Sequence, residues 1–252
     1  MIYITGDIHG DPIRFSTNIF PEQKEMTKDD YVIICGDFGL VWDYKGESKY
    51  ECNWLNWLEE KPFTTLFVDG NHECHDRLDQ YPVEEWKSGK VSFIRPSVIH
   101  LKRGQIFEIE NKKFFTFGGA SSHDISAGIL EPDDPDFKKK QRKLNKNPYA
   151  LYRVNHRTWW ERELPSEEEM QNGFDNLEKH NWKIDYIVTH TPPASIITLL
   201  GQGLYEQDKL TEYLEEIKCQ SEYNYWFAGH MHLDKAISKK DILLYEQIIR
   251  II

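Results

Sequence analysis

The chain has 252 residues, 39% of them hydrophobic, with a formal net charge of −11 at pH 7. Such a length suits one α/β domain with a sizeable buried core. The acidic balance speaks against long duplex nucleic acid as a partner, because that affinity comes largely from Lys and Arg on phosphates; short oligonucleotides and nucleotides stay open, since one local site can hold them.

In chain order, "IYIT" (2–5) and "YVIIC" (31–35) read as buried strands by length and β-branched content. A helix follows over 50–60, where Trp54, Leu55, Trp57 and Leu58 share one face. "TLFV" (65–68) is a third strand, and 91–117 reads as short strands with a turn near Glu110–Lys112, ending in "FFTF" (114–117). From Ser121 to Arg157 the chain is polar, which admits two readings: a surface loop, or a lid beside an active site. A helix is expected over 165–180, opened by Ser166 and Glu169 at capping-box spacing. Then come a strand "DYIVT" (185–189), a helix over 205–218, a strand "YWFA" (225–228) and a strand-like tail, "DILLYEQIIRII". The pattern is α/β with added hairpins, two packed sheets flanked by helices, in one domain spanning 1–252.

Cys35, Cys52, Cys74 and Cys219 are scattered without a CxxC pair, so neither a disulfide framework nor a cysteine zinc site is expected, and a reducing compartment fits. The opening "MIYITGDIHG" lacks the basic start and long apolar core of a signal peptide. No apolar run approaches the roughly 20 residues of a membrane helix. A cytoplasmic setting without a membrane partner is expected.

The ends of the strands carry the chemistry. "YIT" runs into Gly6–Asp7–Ile8–His9–Gly10, "VIIC" into Gly36–Asp37, and "LFV" into Asp69–Gly70–Asn71–His72–Glu73. "YIVT" runs into His190, and "YWFA" into Gly229–His230–Met231–His232. In open α/β sheets the C-terminal edge of the strands is where ligands collect. Taken singly, a DxH is a solvated turn, an HxH a surface pair, Asp37 a helix cap and Asn71 a turn residue. Five strand ends doing this together are not explained that way. Oxygen ligands mixed with imidazole suit divalent Mn, Fe, Zn, Ni or Co rather than calcium.

The candidate ligands are Asp7, His9, Asp37, Asn71, His190, His230 and His232. Four fill one tetrahedral ion, so the count suits two ions better than one. If Asp37 bridges, each ion receives four protein ligands. His230 and His232 lie two apart, so in an extended segment they point the same way and reach ions roughly 3.5–4 Å apart.

In order, "GDIHG", "CGDFG", "DGNHE", "THTPP" and "AGHMH" resemble the motif series of the calcineurin-like metallophosphoesterase superfamily, from Asp7 to His232. The resemblance implies a four-layer α/β/β/α sandwich, with two mixed sheets and a dinuclear metal site at the C-terminal ends of the strands. It implies that Asp7, His9, Asp37 and His232 hold one ion, and that Asp37, Asn71, His190 and His230 hold the other. It also implies a hydrolase of phosphoric esters in which a hydroxide activated by both ions attacks phosphorus. His72 would then stabilise the transition state or protonate the leaving oxygen.

Two departures matter. The Ser/Thr protein phosphatases of this superfamily carry GDxVDRG and RGNHE, whereas this chain places Leu40 where the acid that orients their catalytic histidine stands, and Asp69 before GNHE. Something else must therefore orient His72, and protein phosphatase activity is disfavoured. "FGGASSHD" (117–124) and "YRVNHRTWWERELPS" (152–166) resemble elements of a bacterial and phage-borne subgroup, with Arg153, Asn155, His156 and Arg157 as candidates to touch a phosphate or base. The alternative is a surface segment anchored by Trp159 and Trp160. A phosphodiesterase or nucleotidase acting on a small substrate is the leading expectation, ahead of a phosphomonoesterase or protein phosphatase. A nuclease on short strands would need a basic groove, for which "KKKQRKLNK" (138–146) is the strong candidate, and a non-catalytic binding module would have eroded ligands.

Overall fold

The computed structural model of the protein describes residues 1–201 and 207–252. Its strands form two large mixed sheets. In the first, Ile2–Thr5, Tyr31–Ile34, Thr64–Phe67 and Val98–Leu101 run parallel in that spatial order. Antiparallel strands close both sides, Ile248–Arg250 beside Ile2–Thr5 and the pair Gly89–Arg95 and Glu84–Trp86 beyond Val98–Leu101. In the second, Lys112–Phe117, Lys183–Thr189, Glu222–Ala228 and Asp241–Leu243 run parallel, flanked by antiparallel Gln105–Ile109 and Lys235–Ala236.

The parallel strands are apolar on both faces, and alternation assigns each face a layer. Ile2, Ile4, Ile33 and Leu66 of the first sheet meet Phe114, Tyr186, Val188 and Phe227 of the second in a central core. Their neighbours Tyr3, Val32, Ile34 and Phe67 face outward, onto Leu55 and Leu58 of the helix Lys49–Glu59. Phe115, Phe117, Ile187 and Trp226 face the other way, onto the helices Glu167–Lys179, Ala194–Gly201 and Lys209–Gln220. Three apolar layers between four layers of structure give the α/β/β/α order. Both sheets present the C-terminal ends of their parallel strands to the same site.

Local chemistry explains the element ends. The helix Glu167–Lys179 starts at a reciprocal Ser166/Glu169 capping box, as the spacing predicts, and Lys49–Glu59 starts at one made by Ser48 and Glu51. The expected helix over 205–218 begins at Lys209, capped by Asp208; residues 205 and 206 lie outside the described residues. The apolar helix Ala194–Gly201, directly after two prolines, was not anticipated.

One expectation is corrected. The tail is not one strand: Asp241–Leu243 lies in the second sheet and Ile248–Arg250 in the first. The chain crosses between them in a turn whose N–H groups, from Tyr245, Glu246 and Gln247, all donate to the Asp234 carboxylate. The polar stretch 121–157, expected as a surface loop or a lid, carries short elements of its own. It holds a small parallel sheet, Ile129–Leu130 with Arg153–Val154, and the helix Phe137–Leu144, which has no buried residue.

Candidate metal centre

Asp7, Asp37, Asn71 and His190 all follow parallel strands and are buried; His230 is half-buried, and His9 and His232 are exposed at the rim. One donor atom from each of Asp7, His9, Asp37 and His232 lies within 4.8 Å of every other. Within this group His9 Nε2 is 2.9 Å from His232 Nε2, and His232 Nε2 is 3.3 Å from Asp7 Oδ2. Next to it, His190 Nε2 stands 3.3 Å from both Asp37 Oδ1 and Asn71 Oδ1, and the His190 and His230 rings meet edge to face at 4.9 Å. Asp37 belongs to both groups: Oδ1 faces His190, and Oδ2 lies 3.7 Å from His9 Nδ1.

Hydrogen bonds set the donor state of several of these groups. His190 Nδ1 lies 2.8 Å from the Cys35 carbonyl, which can only accept, so the ring proton sits on Nδ1. In the neutral imidazole, Nε2 then turns its lone pair toward the oxygens of Asp37 and Asn71. Acceptors facing acceptors in a buried place are what a bound cation resolves. The Asn71 amide nitrogen donates to Ser122 Oγ at 3.4 Å, which leaves its oxygen for the centre.

Electrostatics agree. Burial and then the charge of Asp7 push the Asp37 carboxyl well above its ordinary range. Burial and then the neighbouring imidazoles of His190 and His123 hold His230 well below the usual histidine value. His232 is raised instead, through its bond to Asp7. Two buried carboxylates, an amide oxygen and four imidazoles without a thiolate fit divalent first-row transition ions.

The loops that carry these groups are strained. His9, Asp37, His230 and His232 have φ of 46°, 44°, 62° and 49°, a region that non-glycine residues seldom occupy and that clusters at functional sites. The His230–His232 segment is therefore not extended, contrary to the expectation from spacing. A tight turn, with Met231 N–H donating to Gly229 O at 2.6 Å, aims the two rings at different partners. Glycine is required where loops touch. At Gly36 (φ +91°) a Cβ would enter the His190 ring, and at Gly70 it would enter the Asp37 carboxylate.

Side chains not singled out in the sequence hold the loops in register. Buried Glu73 accepts from the N–H groups of Phe38 at 2.6 Å and Gly70 at 2.8 Å, tying the Asp37 loop to the Asn71 loop. Burial, then Asp37 and Asp69, push its carboxyl up to about 8. Burial alone would raise Asp69, yet Arg103 and then His100 outweigh it and hold that carboxyl well below its ordinary range. Glu163 fixes Ser122 through both its backbone N–H and its hydroxyl, at 2.8 and 2.7 Å. His123, from the insertion, places Nε2 3.1 Å from His230 Nε2. Glu73 and Asp69 belong to "DGNHE", and Ser122, His123 and Glu163 lie in the segments 117–124 and 152–166, but their partners are distant in sequence and no local pattern names them.

His72 sits at the rim of the centre. Its backbone N–H donates to Asp37 Oδ1 at 2.8 Å, and Trp42 stacks on its ring at 5.5 Å. Leu40 is fully buried in the outer core and offers no polar contact. In place of an acid, His72 faces a cation: Arg153 Nη2 is 3.3 Å from His72 Nε2. Arginine only donates, so Nε2 is the acceptor. Burial and then Arg153 push the ring down to about 3, so it is neutral near pH 7. Arg153 is buried and held by Asp124 Oδ1 at 2.7 Å and the Thr158 carbonyl at 2.9 Å.

Of the other three candidates in this segment, Arg157 lines a cavity beside His9. Asn155 donates to Glu131, and His156 pairs with Asp76, away from the centre. Trp160 is buried, with its N–H on Asp76, so the aromatic anchor is also present. No helix among the described residues is long and apolar enough to cross a membrane.

Comparison with known proteins adds the chemistry. A family profile described as calcineurin-like phosphoesterase matches residues 1–234. Among curated proteins, the lariat debranching enzyme of Schizosaccharomyces pombe is 27% identical over 222 residues, covering 82% of this chain and 44% of that protein. Lariat debranching enzyme A of Xenopus laevis is 22% identical over 260 residues, covering 92% of this chain and 42% of that protein. The human lariat debranching enzyme is 20% identical, again over 92% of this chain and 42% of its own length. The chain thus spans less than half the length of these relatives.

Proposed function

The chain belongs to the calcineurin-like phosphoesterase family and is a phosphoester hydrolase, and we propose that it is a dinuclear-metal phosphodiesterase acting on a small substrate. The observation that carries this is the Asp37 carboxylate, which turns one oxygen to His190 and the other to His9. A carboxylate so placed serves two ions at once. Asp7, His9, Asp37 and His232 would hold one, and Asp37, Asn71, His190 and His230 the other. When bound, such ions lower the pKa of water toward neutrality and draw charge from phosphoryl oxygens. Mn, Fe, Zn, Ni and Co all suit the donor set.

The protein's own part lies in positioning. Asn71, oriented by Ser122, and His190, oriented by the Cys35 carbonyl, arrive with their acceptor atoms already turned inward. His72 and Arg153 stand together at the rim, where the leaving oxygen of a bound phosphate would lie. Arg153 supplies charge to a phosphoryl oxygen. His72 Nε2 accepts from Arg153 in the free protein; when a phosphate draws that guanidinium to itself, Nε2 is released to carry the ring proton and donate to the leaving oxygen.

A diester is favoured by the relatives. Their name is that of an enzyme that removes a branch from a lariat. A phosphoesterase that opens a branch must cut a diester, since a monoester joins phosphorus to one organic group only. The test is hydrolysis of bis-p-nitrophenyl phosphate against p-nitrophenyl phosphate, with Mn²⁺ and with chelator. Faster, metal-dependent cleavage of the diester is expected. Preference for the monoester would overturn the diester assignment, and cleavage unaffected by chelator would overturn the metal centre.

A further inference from the structure

We propose that the cavity beside His9 is a nucleoside subsite, which makes the substrate a nucleotide ester; this rests on the reading of the metal centre as a phosphoesterase site. The cavity has a volume of about 430 Å³ and is lined by Trp42, Tyr44, Tyr50 and Arg157. It is joined to the centre by two residues. His9 lines it and belongs to the cluster around Asp7 and Asp37. Trp42 lines it and stacks on His72. A phosphate held at the centre would have this cavity within reach of one substituent.

The lining selects the chemistry of that substituent. Three aromatic rings drawn from residues 42–50 offer flat apolar surface, and two of them are open to it: Tyr44 is 42% and Tyr50 56% exposed. Exposed aromatic rings gathered at a cavity next to a reaction centre suit a planar π-system, and stacking on nucleobases is their common use. Tyr50 is held by its hydroxyl, which donates to the Gly10 carbonyl at 3.1 Å. The Arg157 guanidinium lies over the rings of Tyr44 at 5.5 Å and Phe137 at 5.4 Å. A guanidinium in that setting stacks on a base or donates to its edge.

The charges disfavour a second phosphate. Asp43 and Glu51 line the cavity too. Glu51 is already engaged, accepting from the N–H groups of Trp42 at 2.5 Å and Asp43 at 3.0 Å and from Arg77 at 2.8 Å. An anion here would face two carboxylates with Arg157 as the cation in the lining. An uncharged base, with donors and acceptors on its edge, meets no such penalty. The volume lies in the range of small-molecule pockets, and a single phenyl ring would leave much of it unfilled.

The experiment compares adenosine 5′-monophosphate with methyl phosphate, two monoesters that differ by the nucleoside. Binding to Mn²⁺-loaded protein is measured by calorimetry for wild type, Tyr44→Ala/Tyr50→Ala, and Arg157→Gln. The nucleotide is expected to bind at least about tenfold more tightly than methyl phosphate to wild type, the range that base stacking on aromatic residues supplies. The double variant should bring the two within about threefold while metal content and methyl phosphate binding stay the same. Arg157→Gln, which leaves the rings in place, should remove part of the advantage. Equal affinities in wild type, no nucleotide binding at all, or an advantage that both variants leave intact would overturn the subsite. The same preparations are assayed on bis-p-nitrophenyl phosphate. Failure of that hydrolysis with the nucleotide advantage preserved would overturn the phosphodiesterase reading alone and leave the subsite standing.

Discussion

The strand-end loops and the segment 121–166 reach the same point with opposite charge. The loops bring two buried carboxylates, an amide oxygen and imidazole lone pairs, each set one to four residues beyond a parallel strand. The inserted segment brings arginines: Arg153 against His72, and Arg157 at the cavity beside His9. An anionic floor repels phosphate until cations neutralise it. The arginines cannot do so, because Arg153 is held by Asp124 and the Thr158 carbonyl at the rim. On the proposed reading a division of labour follows: the floor would hold metal, and the wall would meet the phosphate that the metal attracts. Breaking the floor should abolish activity, whereas breaking the wall should weaken it with the metal still in place.

The largest effect is expected from Asp37→Asn, which removes half the buried negative charge shared by the two groups of ligands. Wild type should gain melting temperature when Mn²⁺ is added, because an ion that binds only the folded state stabilises it. The variant should lose most of that gain, at least one ion by elemental analysis, and turnover of the diester. A variant that keeps two ions and normal turnover would remove Asp37 from its shared position.

His72→Ala tests the boundary between floor and wall. Its backbone N–H, not its side chain, touches Asp37, so metal content should be unchanged. For a diester with a poor leaving group, kcat should fall by roughly 10²–10⁴-fold, the usual worth of acid–base help. The loss should shrink for a nitrophenolate, which leaves without a proton. An equal loss for both leaving groups would mean that His72 acts on phosphorus rather than on the departing oxygen.

The difference between the two regions also governs what could be read from the chain. Every proposed ligand follows a strand of four to seven residues with an apolar end, so a local pattern marks each one, and the parallel sheets bring them together. His190 was legible in this way even though its partner Asn71 is 119 residues distant. The wall's signature is weaker: Arg153 and Arg157 are candidates through the resemblance of 152–166, with no pattern that names their partners. Arg153 meets His72 across 81 residues through a two-residue strand. Ser122 and Glu163 orient Asn71 from 41 residues apart, and nothing near either residue says so. The His-x-His turn shows a further limit. Period-two reasoning holds for extended backbone, and the left-handed φ of both histidines breaks it.

Arg153→Ala is the next step down. The guanidinium faces His72 and contacts none of the ligands in the cluster around Asp7, so metal content should hold. Removing a charged hydrogen-bond donor to a phosphoryl oxygen should raise KM by about tenfold. Because Arg153 also restrains His72, kcat should fall less for a nitrophenyl ester than for an alkyl one. Lost metal, or an unchanged KM, would separate Arg153 from the substrate.

The smallest effect is expected from Lys138→Gln/Lys139→Gln/Lys140→Gln, and it decides whether the basic run belongs to the wall at all. These lysines lie on the helix Phe137–Leu144, which buries no residue, and two of them pair with neighbouring acids, Lys139 with Asp136 and Lys140 with Asp134. Exposed pairs of this kind contribute little to stability, roughly 0–1 kcal/mol. The helix meets the site through Phe137, under the guanidinium of Arg157, and that residue is kept. For a small diester, kcat/KM should therefore change by less than about twofold, with the same dependence on salt. A short oligonucleotide offers the sharper reading. If its backbone ran along this helix, removing three cations would flatten the slope of log affinity against log salt by about 2, at roughly 0.7 for each phosphate contact on a single strand. An unchanged slope confines recognition to the cavity and the metal centre. A slope reduced by that amount would extend the cationic wall along the insertion and make a strand, rather than a small ester, the object it is shaped to hold.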